Sequence, residues 1–138
     1  MRVQQVSIFL ENSAGRLAEV TKILKDAQIN LRAIMIADTA DFGILRVISE
    51  DSQKMLDVLH AHQYTTRISE VIAVQVENHP GALNDVLVLF RSRNLNIEYL
   101  YTAFENVDGR SIIIIKCEDV EAASRLVQEN GLSCIGSI

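Results

Sequence analysis

The chain has 138 residues, 49% apolar and 22% charged, with a formal net charge of −5 and a pI near 5.1. That is a globular composition without a disordered tail, and no Lys/Arg cluster stands out, which argues against nucleic acid or an anionic membrane as partner. No apolar run approaches the ~20 residues of a membrane span, and Met1 to Gln5 leads into strand-like alternation rather than a signal peptide, so the expected location is cytoplasmic.

Residues 3–10 alternate as a half-buried strand. Leu17, Val20, Ile23, Leu24 and Ala27 then mark one face of a helix, with Glu19, Lys22, Lys25 and Asp26 on the other. Gln28 to Asp38 reads as a second strand and Ile44 to Ile48 as a third, joined by the turn-like Thr39-Ala40-Asp41-Phe42-Gly43. Asp51 or Ser52 caps a second helix with Met55, Leu56, Val58 and Leu59 on its stripe. Thr65 to Glu77 runs on as an unbroken strand. The order then repeats. A helix at 83–93 is followed by a strand from Leu95 to Phe104 and the turn Asn106-Val107-Asp108-Gly109. A strand from Ser111 to Lys116, a helix capped by Asp119 and a short strand from Leu132 to Ile135 complete the chain.

Each half is therefore β-α-β-β-α-β, a ferredoxin-like arrangement of the α+β class. The expected domains are 1–68 and 69–138. In this topology the strand order 4-1-3-2 separates the strands carrying Cys117 and Cys134, so these two are expected as buried free thiols. The second strand of each half is apolar yet lies at a sheet edge, a liability unless it is paired. Pairing the two edges would merge the halves into one eight-stranded antiparallel sheet with helices on one face.

The strongest signal is a repeated phrase. Glu11-Asn12-Ser13-Ala14-Gly15-Arg16-Leu17 recurs as Glu77-Asn78-His79-Pro80-Gly81-Ala82-Leu83, and Val20/Val86 and Asn30/Asn96 keep the same offset. A Gly turn leading a strand into a helix points backbone N–H groups at whatever lies over the helix start. Bland readings fit the same residues. Asn12 and Asn78 can cap their helices, with Pro80 at the first helical position, and Asn30 and Asn96 can simply begin strands.

The two βαββαβ units, each with Asn-x-(Pro/Ala)-Gly-x-Leu and then Ile/Leu-Asn-Ile/Leu at the next strand, resemble ACT domains. The resemblance covers essentially the whole chain, and the first copy departs from the pattern only in having Ala14 where the family favours Pro. It implies a regulatory, allosteric protein that binds a free amino acid at the seam between ACT units. The residues implied are Asn12, Ser13, Ala14, Gly15, Arg16, Leu17, Asn30 and Leu31 in one copy. In the other they are Asn78, His79, Pro80, Gly81, Ala82, Leu83, Asn96 and Ile97. An Asn side chain offers both an acceptor and a donor, so it can address either end of a zwitterion. Arg32 and Glu98 stand next to these sites in sequence, placed to tune the pocket.

No cofactor, catalytic residue or metal site is expected. His60 and His62 face different directions at a helix end, and no Ser/His/Asp or Cys/His set is recognisable. Acylphosphatase shares the topology and uses an Arg in a phosphate-cradling loop, but Arg16 has only Ala82 as its counterpart. The expected partners are a free amino acid, a second copy in a homodimer, and a regulated enzyme or transporter. The alternative is an adaptor that binds another protein through the apolar sheet edges without a small ligand.

Overall fold

A computed structural model describes residues 1–38, 41–104, 106, 108–136 and 138. The chain divides into two compact units, Gln4–Ser69 and Glu70–Ile138, the latter also taking in Met1–Val3.

The first unit contains β1 (Val3–Glu11), α1 (Arg16–Asp26), β2 (Leu31–Asp38), β3 (Phe42–Ser49), α2 (Ser52–Ala61) and the start of β4 (Thr65–Val76). Its strand order is β2-β3-β1-β4, antiparallel where β3 meets β1 and β2. Helix-facing strand residues Val6, Ile8, Leu10, Leu45 and Val47 close a core with Val20 and Leu24 of α1 and Met55 and Leu59 of α2. The second unit takes the rest of β4, α3 (Ala82–Ser92), β5 (Ile97–Thr102), β6 (Ser111–Cys117), α4 (Val120–Glu129) and β7 (Ser133–Ile135). Its order is β7-β4-β6-β5. Ile72, Val74, Val76, Ile113 and Ile115 pack there against Val86 and Phe90 of α3 and Ala123, Leu126 and Val127 of α4. Both units thus have the 4-1-3-2 order, and Cys117 on β6 and Cys134 on β7 lie on opposite sides of β4 as buried free thiols. Burial pushes both thiols above their usual range.

The strand count differs from expectation. Among the described residues there are seven strands, because Thr65–Val76 closes the first repeat and opens the second as a single element. Among the described residues the apolar edges are not paired with each other: β2 pairs with β3 and β5 with β6. Their apolar character has another cause, burial on the faces of the sheet. Ala33 is fully buried and Ile34 packs on the first core; Ile97 and Leu100 pack on the second, and Tyr101 is buried with its ring stacked on Tyr99.

Among the described residues the four helices stop by one device. The residue two past each helix adopts a left-handed conformation: Gln28, Gln63, Asn94 and Gly131, with φ of 56°, 65°, 54° and 76°. Each donates its N–H to a carbonyl three residues back, to Lys25, His60, Arg91 and Gln128. The next residue (Ile29, Tyr64, Leu95, Leu132) donates five back, to Leu24, Leu59, Phe90 and Val127. This is the Schellman arrangement with an apolar residue folded onto the helix end. It explains why β2 and β5 begin later than the apolar pattern predicts: Gln28 to Asn30 and Leu95 to Asn96 end helices before the strands begin. At the other end, Asp51 and Asp119 accept from the N–H of Lys54 and Ala122 at 2.9 Å, so α2 and α4 have side-chain caps. Of the two predicted hairpin turns, Thr39, Ala40 and Val107 fall outside the described residues, whereas Asp108 and Gly109 are left-handed at φ 50° and 74°.

Phe90 is the largest side chain buried in the second core. Phe90→Ala should therefore cost about 3–5 kcal/mol in a denaturant titration. A loss below about 1 kcal/mol would mean that this core is not packed as described.

Candidate functional site

The two Gly turns fold alike. Gly15 occupies the N-cap of α1 at φ 85°, ψ −10°, and Gly81 the N-cap of α3 at φ 92°, ψ −12°. In the first turn Ser13 N donates to Glu11 O at 2.9 Å, Arg16 N to Ser13 O at 3.3 Å and Glu19 N to Gly15 O at 2.9 Å. The second repeats these bonds: His79 N to Glu77 O at 3.1 Å, Ala82 N to His79 O at 3.3 Å and Asp85 N to Gly81 O at 3.0 Å. Ala14 in place of Pro therefore leaves the backbone path unchanged.

The glycines have a chemical consequence. A Ser, Asp or Asn at the N-cap would turn its side chain back onto the next amides; Gly has none. Among the described residues the N–H groups of Leu17 and Ala18, and of Leu83 and Asn84, have no acceptor. Each helix start thus presents a pair of solvent-facing donors at the positive end of its dipole, suited to a carboxylate. The capping alternative is corrected here: Asn12 and Asn78 lie three residues before the N-cap, and Pro80 precedes it rather than occupying the first helical position. Nothing lies within 4 Å of a Cβ built on either glycine, so the left-handed backbone is what demands Gly.

The surrounding charges differ. Arg16 pairs with Glu11 at 3.2 Å and Glu19 at 3.4 Å, and Tyr64 O–H donates to Glu19 Oε1 at 2.6 Å. The hydrogen bond to Glu11, then the charges of Glu11 and Glu19, bind the Arg16 proton more tightly. In the second turn Ala82 replaces Arg16, and Glu77 instead accepts from Arg110 Nε at 2.9 Å. Tyr64, Glu19 and Arg110 were not legible as part of these turns. The recurring Glu11/Glu77 was the one hint, and their partners come from distant elements.

The sequence profile of the ACT domain pair family matches residues 1–137. The chain belongs to that family. Among solved structures, this ACT pair is similar to a protein of Bacteroides thetaiotaomicron at 36% identity and a TM-score of 0.91, covering 98% of this chain and 92% of that one. It is also similar to the regulatory subunit of aspartate kinase from Thermus thermophilus, in ligand-free form, at 17% identity and TM-score 0.68, covering 94% and 93%. The corresponding subunit from Thermus flavus matches at 19% and 0.61, covering 93% and 91%. At those lower identities the likeness is one of fold. No curated protein matches the chain.

The ACT pair places the predicted residues in two groups per unit. Asn12 to Leu17 surround the N-terminus of α1, whereas Asn30 and Leu31 follow its C-terminus. Asn78 to Leu83 and Asn96 to Ile97 stand in the same relation to α3. Eleven helical residues separate the groups by ~16 Å. A single unit therefore does not bring its two Asn residues onto one small ligand. His79 is exposed, its Nδ1 donating to Pro80 O at 2.9 Å. Arg32 is paired with Glu50, and Lys116 lies 3.9 Å from Glu98. His60 Nε2 lies 2.8 Å from Thr66 Oγ1, while His62 Nδ1 donates to Val58 O. Among the described residues no group of three His, Cys, Asp or Glu could hold a metal ion, and no helix is long and apolar enough to cross a membrane.

Two outcomes test this geometry. Gly15→Ala and Gly81→Ala should each destabilise by about 1–2 kcal/mol, with Asn less costly than Ala at the same position; a gain in stability would contradict the left-handed caps. Tyr64 has its pKa raised, first by burial and then by its bond to Glu19. Because the folded value lies above the unfolded one, near 10, the stability gained from this group is complete below pH 10 and is lost as pH rises through the folded value. In a spectrophotometric titration, read as the difference from a Tyr64→Phe variant, Tyr64 should ionise late, and Glu19→Gln should move it back towards the ordinary range.

Proposed function

We propose that this ACT pair is a non-catalytic regulatory protein that binds a free amino acid at its Gly turns. The observation carrying the reading is the matched pair of left-handed glycine caps, each leaving two helix amides open above a strand–helix turn. The ligand carboxylate takes the Leu17/Ala18 or Leu83/Asn84 amides, and Asn12 or Asn78 addresses its ammonium group. Because each helix holds its two Asn residues apart, Asn30–Leu31 or Asn96–Ile97 reaches the same ligand only from a different ACT unit. This is the seam site in physical form. It suits a homodimer in which occupancy biases one arrangement of units over another, and a regulated enzyme or transporter reads that bias. The domains are assigned as 1–68 and 69–138, the location as cytoplasmic.

A second reading has its own support. Among the described residues β2 is paired with β3 alone and β5 with β6 alone, and Ile36, Phe42 and Phe104 are exposed. Such edges suit an adaptor that captures another protein.

Thermal unfolding in the presence of each of the twenty amino acids separates the two. A ligand at 100 times its Kd adds about 2.7 kcal/mol, a shift of several degrees. One amino acid should stabilise the protein, and Gly81→Val should abolish that shift at the second turn while the variant still folds. If no amino acid moves the midpoint, the adaptor reading takes its place.

A further inference from the structure

The second unit has a cleft of about 350 Å³ lined by Arg93, Leu95, Ala122, Arg125, Leu126 and Glu129. It lies where the C-terminal end of α3 meets α4, away from the Gly turn, which is at the opposite end of α3. Leu95, the apolar residue of the Schellman closure, joins Leu126 and Ala122 in supplying its apolar surface. The volume falls in the range of small-ligand pockets, ~300–1,000 Å³.

Its charges are unbalanced. Arg93 reaches Glu129 only at 3.8 Å, with both side chains mostly exposed. Arg125 has no ion pair or hydrogen bond among the described residues. Two guanidinium groups and one carboxylate give the lining a surplus of one positive charge. The first unit provides an internal control. Aligned by helix ends and caps, its residues at these positions are Ala27 for Arg93 and Asp57 for Arg125, on the same fold. The arginines are thus not needed to build the helix pair. Arg93 has a bland role in offsetting the α3 C-terminal dipole; Arg125, exposed on α4, has Glu121 and Glu129 one turn away on the same helix, yet forms an ion pair with neither among the described residues.

We propose that this cleft binds a small monocarboxylate with an aliphatic tail. Arg125 takes the carboxylate in a forked, charge-assisted pair, Arg93 supports it, and the tail lies on Leu95, Ala122 and Leu126. A ligand carrying one net negative charge matches the surplus; a zwitterionic amino acid does not. The site is independent of the Gly turns.

The test is a titration of the intact chain with 4-methyl-2-oxopentanoate, followed by backbone amide NMR, with L-leucine titrated in parallel. Saturable shifts are expected at Leu95, Ala122 and Leu126, with the Gly81 turn unmoved. Arg125→Asp and Arg93→Ala install the residues the first unit carries, so both variants should fold. Arg125→Asp should weaken binding at least about tenfold, as loss of a charged hydrogen-bond pair does. Absence of saturable shifts in the cleft, equal affinity in Arg125→Asp, or shifts confined to the Gly turns would overturn the site. Equal binding of L-leucine at the cleft would overturn the monoanion assignment.

Discussion

A left-handed glycine fixes where each leading helix begins, and much of the chemistry follows from that constraint. At φ near 90° an L-residue crowds its own Cβ against the following carbonyl oxygen. The position therefore selects Gly, and Gly cannot cap. α2 and α4 lack this constraint, and each takes an Asp cap that occupies a helix amide. The protein thus contains two kinds of helix start, one closed by a side chain and one left open. The open kind occurs once per unit, in the same place.

Around that shared backbone the charges have diverged. Glu11 and Glu77 each pair with a guanidinium, by a different route: from the helix itself in the first unit, and from Arg110, which immediately precedes β6, in the second. Exposed pairs of this kind contribute little to stability, on the order of 0–1 kcal/mol. Their larger effect is on the field at the turn. In α1 the first helical residue carries a guanidinium held between Glu11 and Glu19, whereas Ala82 leaves the first turn of α3 without a side-chain cation. Two sites with the same backbone are therefore electrostatically distinct, as is expected when a duplicated module keeps its scaffold and changes its surface.

How much of this was legible depends on how local the cause is. The turns were legible because a positive φ leaves a mark in a single residue type, and the repeat of Gly15 at Gly81 doubled that mark. Asp51 and Asp119 were legible as caps for the same reason. The helix ends were not, since Gln28, Gln63 and Asn94 adopt a conformation that Gly would have advertised; only Gly131 did so. The apolar run therefore suggests strand from Gln28 and Leu95 onwards, although Ile29 and Leu95 serve helix closure. Apolar β2 and β5 suggest edge pairing, but burial on a sheet face produces the same composition. Of the site residues, Asn12 and Asn30 were visible individually; their separation by the length of α1 is a property of the fold, not of spacing in the sequence.

The assignment of Met1–Val3 to the unit that otherwise starts at Glu70 bears on how the chain is made. Arg2 finds Glu70 at 2.9 Å, and Ser124 donates to the carbonyl oxygen of Met1 across 123 positions. During synthesis these residues leave the ribosome ahead of Gln4–Ser69, yet their partners emerge only after that whole unit has been translated. The first unit can collapse while the strand leading into it still lacks part of its surroundings. Contacts of such long sequence separation form late, and these close only once the second half has arrived.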